Sequence, residues 1–494
     1  EKAHENHCSA RRPVGLNWTE LRAATHPVMS DATAAAAANT PVAEVLRAVD
    51  VLFSDSTDSG AKDKANQWLL AFKREKQAWT VANAILRQPN LHPNAYYFAA
   101  YTLRHKIQFD FADLTNSEDR KALRKAVLTH ASNHIGDPIR MQLALAISGL
   151  AINMITTEWA DALKDIVQGF GNVRTAMVLL DILTVLPEEC ENPKMAISRR
   201  VQQRAAKSIA THTHNILSIL KKYMTSAGSD VTLQKKVYRC FLSWVRHGNI
   251  SPQALVQDPL FRYTFQAVHK DELFEISLEV LGELVNHTQD MKMYQPAVRA
   301  LVPQILSLSS KYDEALRIDD TESCKSLCRL FVEFGEVYMP LILEGREEAS
   351  KAVSILLKCT DHPDKNIASM TFNFWYTLSR EVIEVSNQSI RELFSRPFIE
   401  LVGRLKKVME YPCQVTNFND DKEISEYKRF RYLAADILVD TVGVVGIKVV
   451  LKLLLQEIHK SWAIYQKDTT KWHGVEACLY CFRSVARRGP TNER

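Results

Sequence analysis

From Pro41 onward, apolar residues recur every three to four positions, segment after segment, with polar residues between them. That is the period of a helix with one buried face; a half-buried strand would alternate every second residue. The stretch "NAYYFAAYTLRHKI" (Asn94–Ile107) carries the pattern most fully. At about 100° per residue, Ala95, Phe98, Ala99, Thr102, Leu103 and Ile107 fall on one broad face. Alanine and threonine there let a neighbouring helix come close, while Phe98 and Leu103 fill the remaining space. The opposite stripe carries Tyr97, Tyr101, Arg104 and Gln108. Exposed tyrosines beside an arginine suit a protein contact, and packing on a neighbouring helix is the alternative. In the preceding helix, Ala61, Ala65, Trp68, Leu69 and Phe72 form the buried side. Asp63, Gln67, Leu70 and Arg74 form the other.

Ten segments of this kind recur roughly every 40 to 50 residues, the period of HEAT or armadillo pairs. They cover 64–75, 96–107, 140–152, 174–186, 235–245, 272–285, 324–337, 368–379, 431–442 and 476–486. Each mixes Ala, Ser, Cys or Gly with Leu, Val and aromatics, as stacked repeats require. Between them lie "RQPNLHPN", "GDP", "LPEECENP", "RHGNISP" and "TDHPDKN", where Pro and Gly end one helix and start the next. The expected fold is all-α: a solenoid of about ten antiparallel HEAT-type helix pairs wound into a curved superhelix. Residues 1–40 lack any period and are expected to be a disordered tail, with Met29 as a translation start and the residues before it an upstream extension. Residues 41–190 form N-terminal repeats and 191–490 further repeats. The ending "RRGPTNER" does not look finished, so a fragment of a longer chain is expected.

Composition sharpens this picture at several points. Gly (16) and Pro (17) are few for 494 residues, too few for the turns of a β-rich chain. No apolar run reaches the length of a membrane span: the best, "VGVVGIKVVLKLLL", is broken by Lys448 and Lys452. The nine cysteines are scattered singly, which fits free thiols better than a disulfide framework. The net charge of +5 has no dense Lys/Arg run behind it, so no direct nucleic-acid partner is expected. The Asn-X-Ser/Thr sequences at Asn17, Asn249, Asn286 and Asn387 are read as chance matches.

No pattern in the chain calls for catalysis or a cofactor. There is no phosphate-binding loop, and Gly443 and Gly446 form an isolated "GVVG" with no strand before it. His212 and His214 in "THTH" are expected on one long helix, facing different ways. Cys478 and Cys481 form a C-x-x-C without a second pair, and Cys324 and Cys328 sit one turn apart; both pairs read as packed helix faces. His4, His7 and Cys8 lie in the tail. No cofactor, no metal and no enzyme activity are expected.

The segments "WLLAFKREKQAW" and "NAYYFAAYTLRHKI" resemble the N-terminal repeats of the importin-β (karyopherin) superfamily. Phe98, Ala99, Ala100, Thr102, Leu103, Lys106 and Ile107 match its aromatic-Phe-Ala-Ala-x-Thr-Leu-x-x-Lys-Ile pattern. "MQLALAISGLAI" (Met141–Ile152), "LTVLPEE" (Leu183–Glu189) and "FNFWYTL" (Phe372–Leu378) are similar to the transportin-SR and importin-thirteen branch. The resemblance spans residues 41–490. It implies a monomeric nuclear import receptor that shuttles between cytoplasm and nucleus. It would bind Ran in its GTP form and the Phe-Gly repeats of nucleoporins. Its cargo would be Arg/Ser-rich splicing factors, gripped mainly by a C-terminal half not present here. Residues 41–190 would be the Ran-binding part. The candidates for Ran are Asp63 and Gln67, then Tyr97, Tyr101, Arg104 and Gln108, then Glu188 and Glu189 in a loop after the fourth repeat. A solvated loop is the alternative for those two glutamates. An export receptor of the same superfamily, a generic HEAT scaffold subunit and a helical-repeat enzyme are the competing classes.

Overall fold

The computed structural model describes residues 40–55, 57–248, 250–385, 388–411 and 421–488. The tail expectation, with His4, His7, Cys8 and Met29, lies outside the described residues except for Thr40. So do the sites at Asn17, Asn249 and Asn387 and the ending after Arg488. Thr40 is the cap of the first helix, its hydroxyl accepting from Ala43 N at 3.3 Å.

Among the described residues there are helices and no strands. The first helices are α1 (Pro41–Phe53), α2 (Ser59–Phe72), α3 (Ala78–Arg87), α4 (Pro93–Phe109), α5 (Ser117–Asn133), α6 (Asp137–Met154), α7 (Ala162–Phe170) and α8 (Ala176–Cys190). Next come α9 (Arg199–Ala210), α10 (Thr213–Ala227), α11 (Val231–His247), α12 (Pro252–Gln257), α13 (Pro259–Ala267), α14 (Phe274–His287), α15 (Gln295–Ser307), α16 (Ser309–Arg317) and α17 (Thr321–Val337). The series closes with α18 (Met339–Leu343), α19 (Glu347–Thr360), α20 (Lys365–Met370), α21 (Phe372–Glu384), α22 (Gln388–Val408), α23 (Asp421–Val445), α24 (Ile447–Lys467) and α25 (His473–Arg488). Two compact units result, one up to Thr102 and one from Leu103 onward. In the first, α1 packs on α2 and α3.

The second unit is a HEAT-type α-solenoid built in two layers. One layer runs α6, α8, α11, α14, α17, α20–α21, α23 and α25, each packed on the next. The other runs α12, α15, α19, α22 and α24 in the same way. Members of the first layer also pack on a helix that precedes or follows them in the chain: α5 with α6, α7 with α8, α10 with α11, α13 with α14, α22 with α23, α24 with α25. The ten segments picked out by periodicity fall in α2, α4, α6, α8, α11, α14, α17, α20–α21, α23 and α25. From α6 onward they are therefore the one layer that runs through the stack.

The reason is visible in α6, where residues Leu143 to Ile152 are all buried except the half-buried Leu145. A helix in that position touches the previous repeat, the next repeat and its own partner, so three of its sides must be apolar or small. Gly149 shows how close the contact is: a Cβ there would stand 3.0 Å from Ile107 Cγ2.

Three local expectations are corrected. "LPEECENP" does not break the helix at Pro187; α8 continues through Pro187 to Cys190. Proline has no N–H, so the carbonyl one turn back, Leu183, loses its helical donor. Trp244 Nε1 of α11 supplies a replacement at 2.8 Å, and Ser243 Oγ donates to the adjacent Thr184 carbonyl at 2.7 Å. Secondly, Trp68 is not on the buried side of α2. It is 38% exposed and stacks on Phe72 with ring centres 5.5 Å apart. Thirdly, His212 and His214 do not share a long helix, because His212 is the capping residue at the junction of α9 and α10.

Candidate functional site

The sequence-predicted surface residues lie in both units. In the first, Asp63 and Gln67 sit exposed on α2. Tyr97 and Tyr101 of α4 are half-buried rather than exposed, and their rings stack at 6.4 Å with planes 3° apart. The Tyr101 hydroxyl accepts from Lys73 Nζ at 3.2 Å, so the ring is held in place by α2's end rather than free to swing. Ala95, Ala99 and Thr102 on the opposite face are buried as expected, while Phe98 is only half-covered.

In the second unit, Arg104 is half-buried and its Nη1 donates to Gln142 Oε1 of α6 at 3.2 Å. Gln108 is half-buried, and its carbonyl accepts from Ala196 N at 2.9 Å. Leu103 and Ile107 are fully buried. Lys106 is 1% exposed and pairs with Asp110 at 2.7 Å, so the lysine of the sequence pattern is a buried structural cation. Glu188 and Glu189 belong to the last turn of α8, not to a loop. Glu188 as a residue is exposed, but its carboxyl lies near Ser243, His247 and Arg246 and is partly shielded from water. Partial loss of water raises its pKa, and the nearby His247 opposes that rise. The two glutamates thus sit at the end of α8 that meets α11.

Sequence reasoning missed a polar ladder that joins successive helices of the through-running layer. Asp181 of α8 is 2% exposed and receives Arg140 Nε of α6 at 2.6 Å and Lys236 Nζ of α11 at 2.6 Å. Arg140 also donates to the Ile135 carbonyl and pairs with Asp137. Further along, Arg246 pairs with Glu283, Asn286 bonds Glu333, and Asn373 Nδ2 donates to Glu336 at 2.7 Å. At the far end Arg431 pairs with Glu476 at 2.9 Å and lies 4.0 Å from the centre of the Tyr480 ring. Periodicity could not find the buried members, Arg140, Asp181 and Arg431, because each is polar on a face otherwise read as core. For those three the sequence signal is a lone Asp or Arg inside an apolar run.

No group of three or more His, Cys, Asp or Glu able to hold a metal occurs among the described residues. The cysteines at 190, 240, 324, 328, 359, 478 and 481 are free and buried. Burial pushes Cys190 and Cys481 up to about 12, which keeps both thiols protonated and inert. No single described helix is long and apolar enough to cross a membrane.

With that geometry in place, the relatives can be compared. A model of the second TPR domain of Transportin-3/Importin-13 matches residues 319–407, and a model of Exportin 1-like protein matches residues 137–281. Transportin MOS14 of Arabidopsis thaliana is 30% identical over 470 residues, covering 90% of this chain and 48% of its own. Importin-13 of Bos taurus is 26% identical over 483 residues, covering 93% of this chain and 49% of its own. The chain belongs to the importin-β superfamily, in its transportin/importin-13 branch. It spans about half the length of these curated relatives. The fold agrees: a structure titled "Importin13 cytosolic state" superposes with TM-score 0.66 at 18% identity, over 80% of this chain and 46% of that one. Three of the family's motifs have a structural meaning in this member. "LTVLPEE" is the proline turn that Trp244 repairs. In "FNFWYTL", Trp375 is fully buried and donates Nε1 to Thr360 Oγ1 at 2.8 Å. "MQLALAISGLAI" is the helix enclosed on three sides.

Proposed function

We propose that this chain is the N-terminal part of a nuclear import receptor that shuttles between cytoplasm and nucleus and works by binding proteins, not by catalysis. The observation that carries this proposal is membership of the transportin/importin-13 branch together with an unbroken layer of stacked helices in the second unit. In an array of this kind each repeat contacts its neighbours, so small rotations accumulate and different partners can favour different curvatures. Ran in its GTP form is the proposed partner of residues 41–190. Asp63, Gln67, Tyr97 and Tyr101 are its proposed contacts in the first unit, and Arg104, Gln108, Glu188 and Glu189 in the second. Glu188 and Glu189 present carboxylates to basic residues of Ran from the end of α8. Phe-Gly nucleoporins and Arg/Ser-rich cargo are the further proposed partners, the cargo held mainly by sequence beyond this chain. The chain is proposed to act as a monomer.

The test is a binding measurement with purified Ran loaded with a non-hydrolysable GTP analogue or with GDP. Tighter binding of the GTP form without cargo is expected; equal affinity for the two forms would point to a scaffold. If Tyr101 is an anchor, Tyr101→Ala weakens the GTP form by about 2 kcal/mol, near thirtyfold. Unchanged affinity with an unchanged unfolding midpoint would remove Tyr101 from the contact set.

A further inference from the structure

Helix α9 is an addition to the repeat pattern. The pairs on either side of it are α7 with α8 and α10 with α11, and α9 packs instead on α6 and α8. Its sequence, RRVQQRAAKSIA, holds no acidic residue. None occurs anywhere between Glu191 and Asp230, a stretch that carries seven Lys and Arg. Ala205 and Ile209 are the buried side of α9. At about 100° per residue, Arg199, Gln203, Lys207, Arg200 and Arg204 follow one another around the opposite side, and all five are exposed. Among the described residues, none of these four cations is held in an ion pair or a side-chain hydrogen bond.

The carboxylates that precede α9 are engaged elsewhere: Glu189 accepts from Asn192 Nδ2 at 2.9 Å, and Glu191 pairs with His247 at 3.0 Å. The helix is also fixed at its start. Ser198 Oγ accepts from Val201 N at 3.4 Å, and Gln202 Nε2 donates to the Asn192 carbonyl at 2.8 Å. Like charges gathered on one fixed helix face repel one another and gain from an arriving polyanion.

The surroundings select which polyanion. A membrane surface calls for an apolar helix face beside the cations, and the apolar residues of α9 are already buried in the fold. Single-stranded nucleic acid calls for aromatic rings on which bases stack, and no Phe, Tyr or Trp occurs from Asn192 to Lys222. Carboxylates fit the face better. Three of the four cations are arginines, whose guanidinium forks match carboxylates in two-pronged pairs. Arg200 and Arg204 are one turn apart, about 6 Å along the axis. Alternate side chains of an extended peptide repeat at about 6.6 Å.

We propose that the exposed face of α9 is a docking site for an extended Asp/Glu-rich segment of a partner protein. Alternate carboxylates of that segment pair with Arg200 and Arg204, and Arg199 and Lys207 meet its two ends. The site does not rest on the GTPase reading, because α9 lies outside residues 41–190 and every arm of the test is measured with no GTPase present.

The probe is a fluorescein-labelled peptide, Gly-Glu-Asp-Glu-Glu-Asp-Glu-Gly, titrated into the 494-residue chain and followed by anisotropy. A second peptide carries Gln and Asn in place of Glu and Asp, and a third probe is a labelled eight-nucleotide uridine RNA. The acidic peptide is expected to bind at least tenfold more tightly than the neutral one. The Arg200→Gln/Arg204→Gln/Lys207→Gln variant is expected to lose about tenfold for the acidic peptide. Lys448→Gln/Lys452→Gln, which removes two exposed cations of α24, is the control and is expected to lose less than twofold. Equal losses in the two variants would reduce the effect to the general positive charge of the chain and overturn the site. Equal binding of the acidic and neutral peptides would do the same. RNA that binds more tightly than the acidic peptide, and loses that advantage in the α9 variant, would assign the face to nucleic acid instead. If the triple variant fails to fold, Arg204→Gln alone is expected to lose two- to threefold, and an unchanged affinity there would also overturn the site.

Discussion

At the residue scale, single polar atoms decide whether a repeat closes. Leu183 has a carbonyl stripped of its helical donor by Pro187, and Trp244 Nε1 takes that donor's place at 2.8 Å. Replacing Trp244 by phenylalanine keeps most of the ring and removes the N–H. The buried carbonyl then has no replacement donor, which costs about 1 to 3 kcal/mol. Chemical denaturation of Trp244→Phe is expected to show that loss, whereas the double variant Trp244→Phe/Pro187→Ala recovers part of it, because alanine restores the backbone donor. Non-additivity of that sign is the diagnostic, and simple additivity would show that Trp244 acts by packing alone. Proline at 187 was visible in the sequence as a break. Its repair was not, since the partner is an indole 61 positions away.

At the element scale, small residues set how near two helices can lie. A Cβ on Gly335 of α17 would stand 2.9 Å from two ring carbons of Phe374 and 3.0 Å from Leu356 Cδ1. Both neighbours are buried and well packed, so neither yields at low cost. Alanine at 335 gains about 1 kcal/mol of helix propensity, but overpacking costs about 1 to 3 kcal/mol. Gly335→Ala is expected to be neutral to destabilising and Gly335→Val clearly destabilising. Gly403 on α22 provides the control, with nothing within 4 Å of its would-be Cβ. There Gly→Ala is expected to stabilise by about 0.5 to 1 kcal/mol, read as a rise in the denaturation midpoint. If both glycines respond alike, helix spacing is not what fixes Gly335. The positions of helices were legible from periodicity because the through-running layer is apolar on three sides. The partner helices were less legible: α9 is polar on most of its surface and α18 is only five residues long.

At the scale of the whole molecule, stability is nearest-neighbour, and the polar ladder ties those neighbours together. Asp181 holds Arg140 and Lys236, so α6, α8 and α11 meet on one carboxylate. Asp181→Ala leaves two poorly solvated cations facing each other, a change that costs about 3 to 5 kcal/mol when a buried pair is broken. Hydrogen exchange is expected to speed up in α6, α8 and α11 and to stay unchanged in α23 and α25. Uniform acceleration along the second unit would mean that the array unfolds as one block.

Taken alone, the order of residues determined the helical class, the repeat period, the ten strongly periodic helices and the family. Each of these rests on local spacing, which a single strand of text carries in full. Only the tertiary structure decided that Tyr97 and Tyr101 are half-buried, that Glu188 and Glu189 end a helix, and that Trp68 faces water. It alone assembled Arg140, Asp181 and Lys236. These features join residues tens of positions apart. Their energies depend on which helix face meets which, a relation that periodicity within one helix does not encode.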